Sequence, residues 1–178
     1  FTVNGVAAKT EAHPAHIDII KLLLDKPLVP GDSITIATPF KVFLPNYFSR
    51  SGYADGEFMA CQWYPKPAVY DKNGWHEMPY LDMGEFYSEF GNFDVRISVP
   101  ENYIVAATGE LQNEEELKML KQKAESYERD LKVFADNKKI FGKKPNSPDS
   151  FPPSSKTTKT LQYKQNKVQD LAWFAHKR

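Results

Sequence analysis

Phe93-Asp94-Val95-Arg96-Ile97-Ser98-Val99-Pro100-Glu101-Asn102-Tyr103-Ile104-Val105-Ala106-Ala107-Thr108-Gly109 is the stretch that decides the fold. Phe93, Val95, Ile97 and Val99 alternate strictly with polar residues, as a strand with one buried face requires. Pro100-Glu101-Asn102 then turns the chain, and Tyr103 to Thr108 reads as the next strand. Upstream, Ile34, Ile36, Phe40, Val42 and Leu44 hold one period-two phase that Pro39 interrupts, which predicts an edge position or a bulge. Ile17 to Leu24 is apolar with a β-branched start. Its stop at Pro27 and Pro30-Gly31 favours a strand over a helix, with Pro30-Gly31-Asp32 as the following turn. Phe58 to Trp63 adds a further strand, as do Thr160 to Tyr163 and Val168 to Phe174 near the end. Several short strands separated by turn signals predict a mostly β fold, an antiparallel β-sandwich.

Residues 113 to 138 break that style. Leu117, Leu120, Ala124, Tyr127, Leu131 and Phe134 recur at three- and four-residue spacing, the stripe of one amphipathic helix near 114 to 136. Asn113 is placed to cap it, and Glu114, Glu115 and Glu116 suit the positive end of its dipole. The stripe is expected to face the core rather than a partner. Lys143 to Thr160, with Pro145, Pro148, Pro152 and Pro153 among Ser, Thr and Lys, reads as a mobile loop. Residues 113 to 155 together look like a helical and proline-rich insertion between two framework strands.

The chain has 178 residues, fits one domain and can bury a sizeable core. Formal net charge is zero, which argues against binding nucleic acid or a membrane surface through bulk charge. Residues 51 to 116 carry thirteen Asp and Glu against three Lys and Arg, whereas residues 143 to 178 carry eight basic against two acidic. Opposite faces of one solvated surface account for this; an acidic wall beside a site for a cationic group is the sharper alternative. Cys61, the only cysteine, excludes an internal disulfide and reads as a small buried apolar residue. No apolar run approaches the ~18 residues of a membrane span. The opening Phe1-Thr2-Val3-Asn4-Gly5, without a Met, is expected to start inside a strand or hairpin.

Chemistry-bearing motifs are scarce. His13 and His16 are three apart, but Pro14 disfavours the helix that would align them as ligands. His76-Glu77 begins like the H-E-x-x-H zinc motif, yet Tyr80 takes the fifth position and Pro79 sits where the helix must run. His176 stands alone. Glu85, Glu89 and Asp94 supply carboxylates, but sequence spacing does not give the separation a glycosidase pair needs. Nucleotide-binding glycine motifs and a nucleophile elbow are absent.

A wider run carries more information. It comprises Gln62-Trp63-Tyr64-Pro65-Lys66-Pro67-Ala68-Val69-Tyr70-Asp71, Gly74-Trp75-His76, Pro79-Tyr80, Gly84-Glu85-Phe86-Tyr87, Phe90-Gly91-Asn92-Phe93-Asp94-Val95 and Val105-Ala106-Ala107-Thr108-Gly109. Over residues 17 to 111, and more weakly 156 to 178, the chain resembles the N-terminal β domain of gluzincin aminopeptidase-type zinc metallopeptidases of the secreted bacterial type. The resemblance implies a twisted, saddle-like β-sandwich, with residues 1 to 178 forming a single non-catalytic domain. It implies zinc only in the parent enzyme, held by a catalytic domain after Arg178, and no cofactor within these residues. The implied partners are that catalytic domain and a peptide substrate in the parent, and the implied location is exported: periplasmic, cell-surface or secreted. In several such enzymes a Gln or Glu ahead of a Pro-x-x-Asp-type segment binds the substrate's free amine. Gln62 is the nearest counterpart; satisfaction of backbone groups at a strand end is its structural alternative. The rival function is a free-standing carbohydrate- or protein-binding module that uses Trp63, Trp75, Tyr80 and Tyr87 as stacking platforms. Core packing is the other use of rings that large.

Overall fold

A computed structural model describes residues 1–46, 50–81, 83–84, 86–141 and 152–177, without the side chains of 134–141. The strands, in chain order, are β1 (Thr2–Val3), β2 (Val6–Ala7), β3 (Thr10–Ala12), β4 (Ile20–Leu22), β5 (Ile36–Ala37), β6 (Gly52–Ala54) and β7 (Glu57–Ala60). They continue with β8 (Val69–Asp71), β9 (Gly74–His76), β10 (Gly91–Pro100), β11 (Tyr103–Ala107) and β12 (Glu110–Leu111). Helix α1 (Glu114–Phe141) follows, then β13 (Thr158–Val168) and β14 (Trp173–Lys177). The fold is therefore mostly β, with antiparallel sheets and one helix among the described residues. It divides into two compact units, residues 1–43 with 64–89, and residues 44–63 with 90–178.

The second unit is the sandwich. One sheet has the order β10-β13-β12 and the other β11-β14-β7-β6. The alternation read from Phe93 to Val99 has the expected consequence: Ile97 and Val99 point inward beside Leu161 and Tyr163 of β13. Tyr103 and Val105 of β11 and Ala175 of β14 complete the core from the opposing sheet. The Tyr163 hydroxyl donates to the Val105 carbonyl at 2.7 Å, a buried bond that ties one sheet to the other. Burial pushes the Tyr163 pKa up, so the hydroxyl keeps its proton and remains a donor.

On the outer face of the same strand pair, Asp94 lies opposite Lys164 in register. Gln162 Nε2 donates to its carboxylate at 2.7 Å, and Lys164 Nζ lies 3.4 Å away. The Gln162 hydrogen bond first, and Lys164 second among the favourable contacts, hold the Asp94 carboxyl below the ordinary aspartate value. A depressed carboxylate supports the fold above its unfolded value, and that support disappears as pH falls through the depressed one. Gln162→Ala is expected to move the Asp94 titration midpoint upward, toward the ordinary value, in a carboxyl-detected NMR titration. An unmoved midpoint would make Lys164 the controlling group.

The inserted segment leaves and rejoins the sandwich between neighbouring strands, since β12 pairs directly with β13. Asn113 precedes α1 as expected, and its carbonyl accepts the first helical bond from Leu117 N–H at 3.0 Å. Its side chain does not cap the helix. Instead Asn113 Oδ1 accepts from Gln162 N–H at 2.8 Å and Nδ2 donates to the Thr160 carbonyl, clamping the helix start to β13. Glu116 and Lys159 add a largely buried ion pair of 2.6 Å. Met119 and Leu120 in the next turn are half-buried, and beyond them the helix is open to solvent: Tyr127 is 61% and Leu131 44% exposed. The expected core-facing stripe is thus a surface stripe, and Phe134 lies outside the described side chains.

The proline-rich loop is described only from residue 152, residues 142–151 being outside. There it is pinned rather than loose: Asn102 binds both Pro153 and Ser155, and Thr157 donates to Glu101. Upstream, the period-two run from Ile34 to Leu44 yields only β5, which pairs with β1, while Ile36, Phe40 and Val42 remain exposed. Pro39 lacks the N–H a ladder needs and stops the strand. Of the strand expected from Ile17 to Leu24 only β4 forms, paired with β3, and Ile17 lies in a turn outside it. Of the 17–111 range expected in the sandwich, residues 17–43 and 64–89 group instead with the N-terminus.

Candidate functional site

The segment after β7 begins with a sharp change of backbone. Ser51 Oγ donates to the Cys61 carbonyl at 2.7 Å and accepts from Cys61 N–H at 3.1 Å, so a side chain extends the β6–β7 pairing by one step. Cys61 is half-buried rather than fully buried, and burial first, with Asp170 second, pushes its thiol pKa up, which disfavours the thiolate. Gln62 then adopts φ 53°, a left-handed conformation that residues with a side chain seldom take. It is half-buried, and among the described residues its amide makes no hydrogen bond. It therefore does not satisfy backbone groups at the strand end.

Trp63 turns inward. Its Nε1 donates to the Leu171 carbonyl at 3.0 Å, and its ring meets Trp173 edge to face at 6.3 Å. This removes Trp63 from the set of exposed stacking rings.

The remaining aromatics belong to the first unit. Asp71 and Gly74 close the β8–β9 hairpin around Lys72 and Asn73, whose N–H is held by Asp71 Oδ1 at 2.7 Å. Gly74 has φ 105°, which explains the glycine at that corner. The hairpin presents Tyr70 and Trp75 at 66% and 65% exposure, with centroids 4.9 Å apart and planes inclined by 56°. Tyr80 and Tyr87 are exposed too, Tyr80 tilted against Phe86 and Tyr87 edge-on to His76. Lys66 lies over the rings of Tyr64 and Phe86 at 5.5 and 5.9 Å. Trp75, Tyr80 and Tyr87 are accordingly surface groups, not core, and the neighbouring rings stand at angles rather than in one plane.

Ile17, Phe43, Met78, Leu81 and Met83 are also exposed in this unit, and Val69 is its only buried apolar side chain among the described residues. A body of this size ordinarily hides more of its large apolar groups.

The histidines occupy structural positions. His13 Nδ1 accepts from the N–H groups of Ala15 and His16, and the two rings stack at 4.8 Å. His76 sits on β9, a strand rather than the helix that H-E-x-x-H requires, with Nε2 2.8 Å from Asp71. That imidazole lowers the Asp71 pKa, its hydrogen bond being the largest influence. His176 faces Glu57 across the β14–β7 ladder at 3.0 Å. Among the described residues no three His, Cys, Asp or Glu side chains converge to hold a metal. Glu89 and Asp94 fall in different units, and Glu85 lies outside the described residues. No helix is long and apolar enough to cross a membrane among the described residues.

The sequence names Gln62 and offers Trp75 as an exposed ring, but gives no sign of the backbone strain at Gln62 or of the pairing of Tyr70 with Trp75 on one hairpin. The Asp71-Lys72-Asn73-Gly74 turn signal was the available clue, because a tight hairpin leaves its outer face uncovered. Comparisons with protein-family models, with curated proteins and with solved structures returned no match.

Proposed function

We propose that the chain is an accessory, non-catalytic domain of an exported zinc aminopeptidase-like enzyme, docking on the catalytic domain and shaping one wall of its cleft. The observation that carries this reading is the apolar exposure of the first unit: Ile17, Phe43, Tyr70, Trp75 and Met83 are exposed, and Val69 is its only buried apolar side chain among the described residues. Exposure on that scale marks a surface made to be covered. The sequence resemblance supplies the occupant, a peptidase domain with three zinc ligands and an open position for water. That metal would polarise the peptide carbonyl and activate water in the catalytic domain; the residues described here supply none of its ligands.

Gln62 is the substrate-binding candidate of this reading. Its left-handed backbone, and an amide without a hydrogen bond among the described residues, suit a side chain held for a ligand, since backbone strain of this kind concentrates at functional positions. A neutral amide oxygen accepts well from a protonated α-amine. In the intact enzyme Gln62→Ala is expected to raise KM and lower kcat for aminoacyl substrates, about 10-fold together in kcat/KM. Unchanged kinetics would leave Gln62 structural.

The carbohydrate-module alternative draws support from Tyr70 and Trp75 alone, and their 56° inclination does not offer the flat platform that two stacked sugar faces need. Oxidative footprinting tests the docking. Trp75 and Met83 should label readily in this chain by itself and be protected in the full-length protein. Equal labelling in both would remove the reason for the docking reading.

A further inference from the structure

We infer that helix α1 is a self-association element that pairs antiparallel with α1 of a second copy of this chain. The helix has 28 residues, about 42 Å of length, and only its first turn is clamped to its own sheet. Its apolar stripe is spaced 3-4-3-4: Leu117, Leu120, Ala124, Tyr127 and Leu131. That is the 3.5-residue repeat of a coiled-coil seam, with the residues at positions a, d, a, d and a. Leu117, Ala124, Tyr127 and Leu131 are exposed and Leu120 is half-buried, so most of the seam is uncovered in one copy of the chain.

Side-chain size selects the direction of the partner. An antiparallel pair with Ala124 opposite Tyr127 of the second copy matches the smallest seam residue with the bulkiest, and sets Leu120 against Leu131. A parallel pair would put Ala124 against Ala124 and Tyr127 against Tyr127, leaving one layer hollow and the next crowded.

The flanking charges agree. Positions e hold Lys121 and Glu128, and positions g hold Lys123 and Asp130. In an antiparallel pair e faces e and g faces g, so Lys121 meets Glu128 and Lys123 meets Asp130. Each pair occurs twice by symmetry. None of these four residues has an ion-pair partner among the described residues of its own chain. A parallel pair would also join Lys123 to Glu128, but its other contact would draw on Glu116, which Lys159 already holds at 2.6 Å with both side chains largely buried.

Sedimentation equilibrium of the chain tests this. The expected result is a reversible monomer–dimer equilibrium. Lys123→Glu reverses two cross-helix pairs and should weaken the dimer about 10-fold. Adding Asp130→Lys to the same chain should restore it. These positions are on the solvated helix, so far-UV circular dichroism should be unchanged in each variant. A chain that stays monomeric up to about 1 mM would overturn the inference. So would a dimer insensitive to the reversals, or rescue by Glu128→Lys instead of Asp130→Lys, the signature of a parallel pair.

Discussion

Leu171→Ala is expected to lower the unfolding free energy of the chain by about 2–5 kcal/mol, measured by chemical denaturation. Leu171 lies on the connection between β13 and β14 and is 0% exposed. Truncation removes the buried side chain and leaves a cavity that the surroundings fill only in part. Those surroundings are held in place: Trp63 donates to the Leu171 carbonyl, Asp170 accepts from its N–H at 2.7 Å, and Trp173 packs on Trp63. Collapse around the vacancy is therefore restricted, which favours the upper part of that range. A change under about 1 kcal/mol would mean that the β13–β14 connection is not an anchor of the sandwich.

The second large effect is expected at Gly109, where the chain passes from β11 in one sheet to β12 in the other. Its φ is 103°, a conformation that costs any residue with a Cβ. Space is lacking too: a Cβ there would lie 2.5 Å from the Lys164 carbonyl oxygen, which is backbone of the central strand β13. Neighbouring bonds fix the corner, Thr108 N–H to Ala172 O at 2.9 Å and Ala172 N–H to Thr108 Oγ1 at 3.1 Å. Gly109→Ala should thus lose about 1–3 kcal/mol through backbone strain, with the displacement of β13 adding to it. Gly31→Ala is a useful contrast, because Gly31 has a similar φ of 91° but open space around it. If both substitutions cost the same, the close approach to Lys164 contributes nothing.

The central strands were legible in the sequence because their alternation is strict. Phe93, Val95, Ile97 and Val99 are placed on one face by spacing alone; Ile97 and Val99 form the core and Val95 packs against it, while Tyr103 and Val105 join it from a strand that the sequence marks only by its bounds. Beyond Tyr163 the signal disappears: β13 continues through Lys164, Gln165, Asn166 and Lys167, all polar, because pairing with β10 and not burial carries the strand onward. The last strand was read too early. Lys167 turns left-handed at φ 55°, and residues 169 to 172 become a connection before β14 starts at Trp173. The helix shows a different limit. Its stripe was read correctly as a set of residues on one face, but periodicity does not tell whether the chain itself or another chain covers that face. At the candidate site, Gln62 was found through the resemblance. Its left-handed φ was not foreseeable, since such positions ordinarily go to Gly, Asn or Asp.

Docking of the first unit on a peptidase domain is the central claim, and a binding titration tests it most directly. The chain is titrated with the peptidase domain that the proposal assigns to the intact protein and, separately, with a panel of glycans. The account predicts saturable association with the peptidase domain, weakened at least 10-fold by Trp75→Asp, which places a charge in the covered apolar surface, and no saturable glycan binding. Glycan binding lost on mutation of Tyr70 or Trp75, together with no affinity for the peptidase domain, would contradict it.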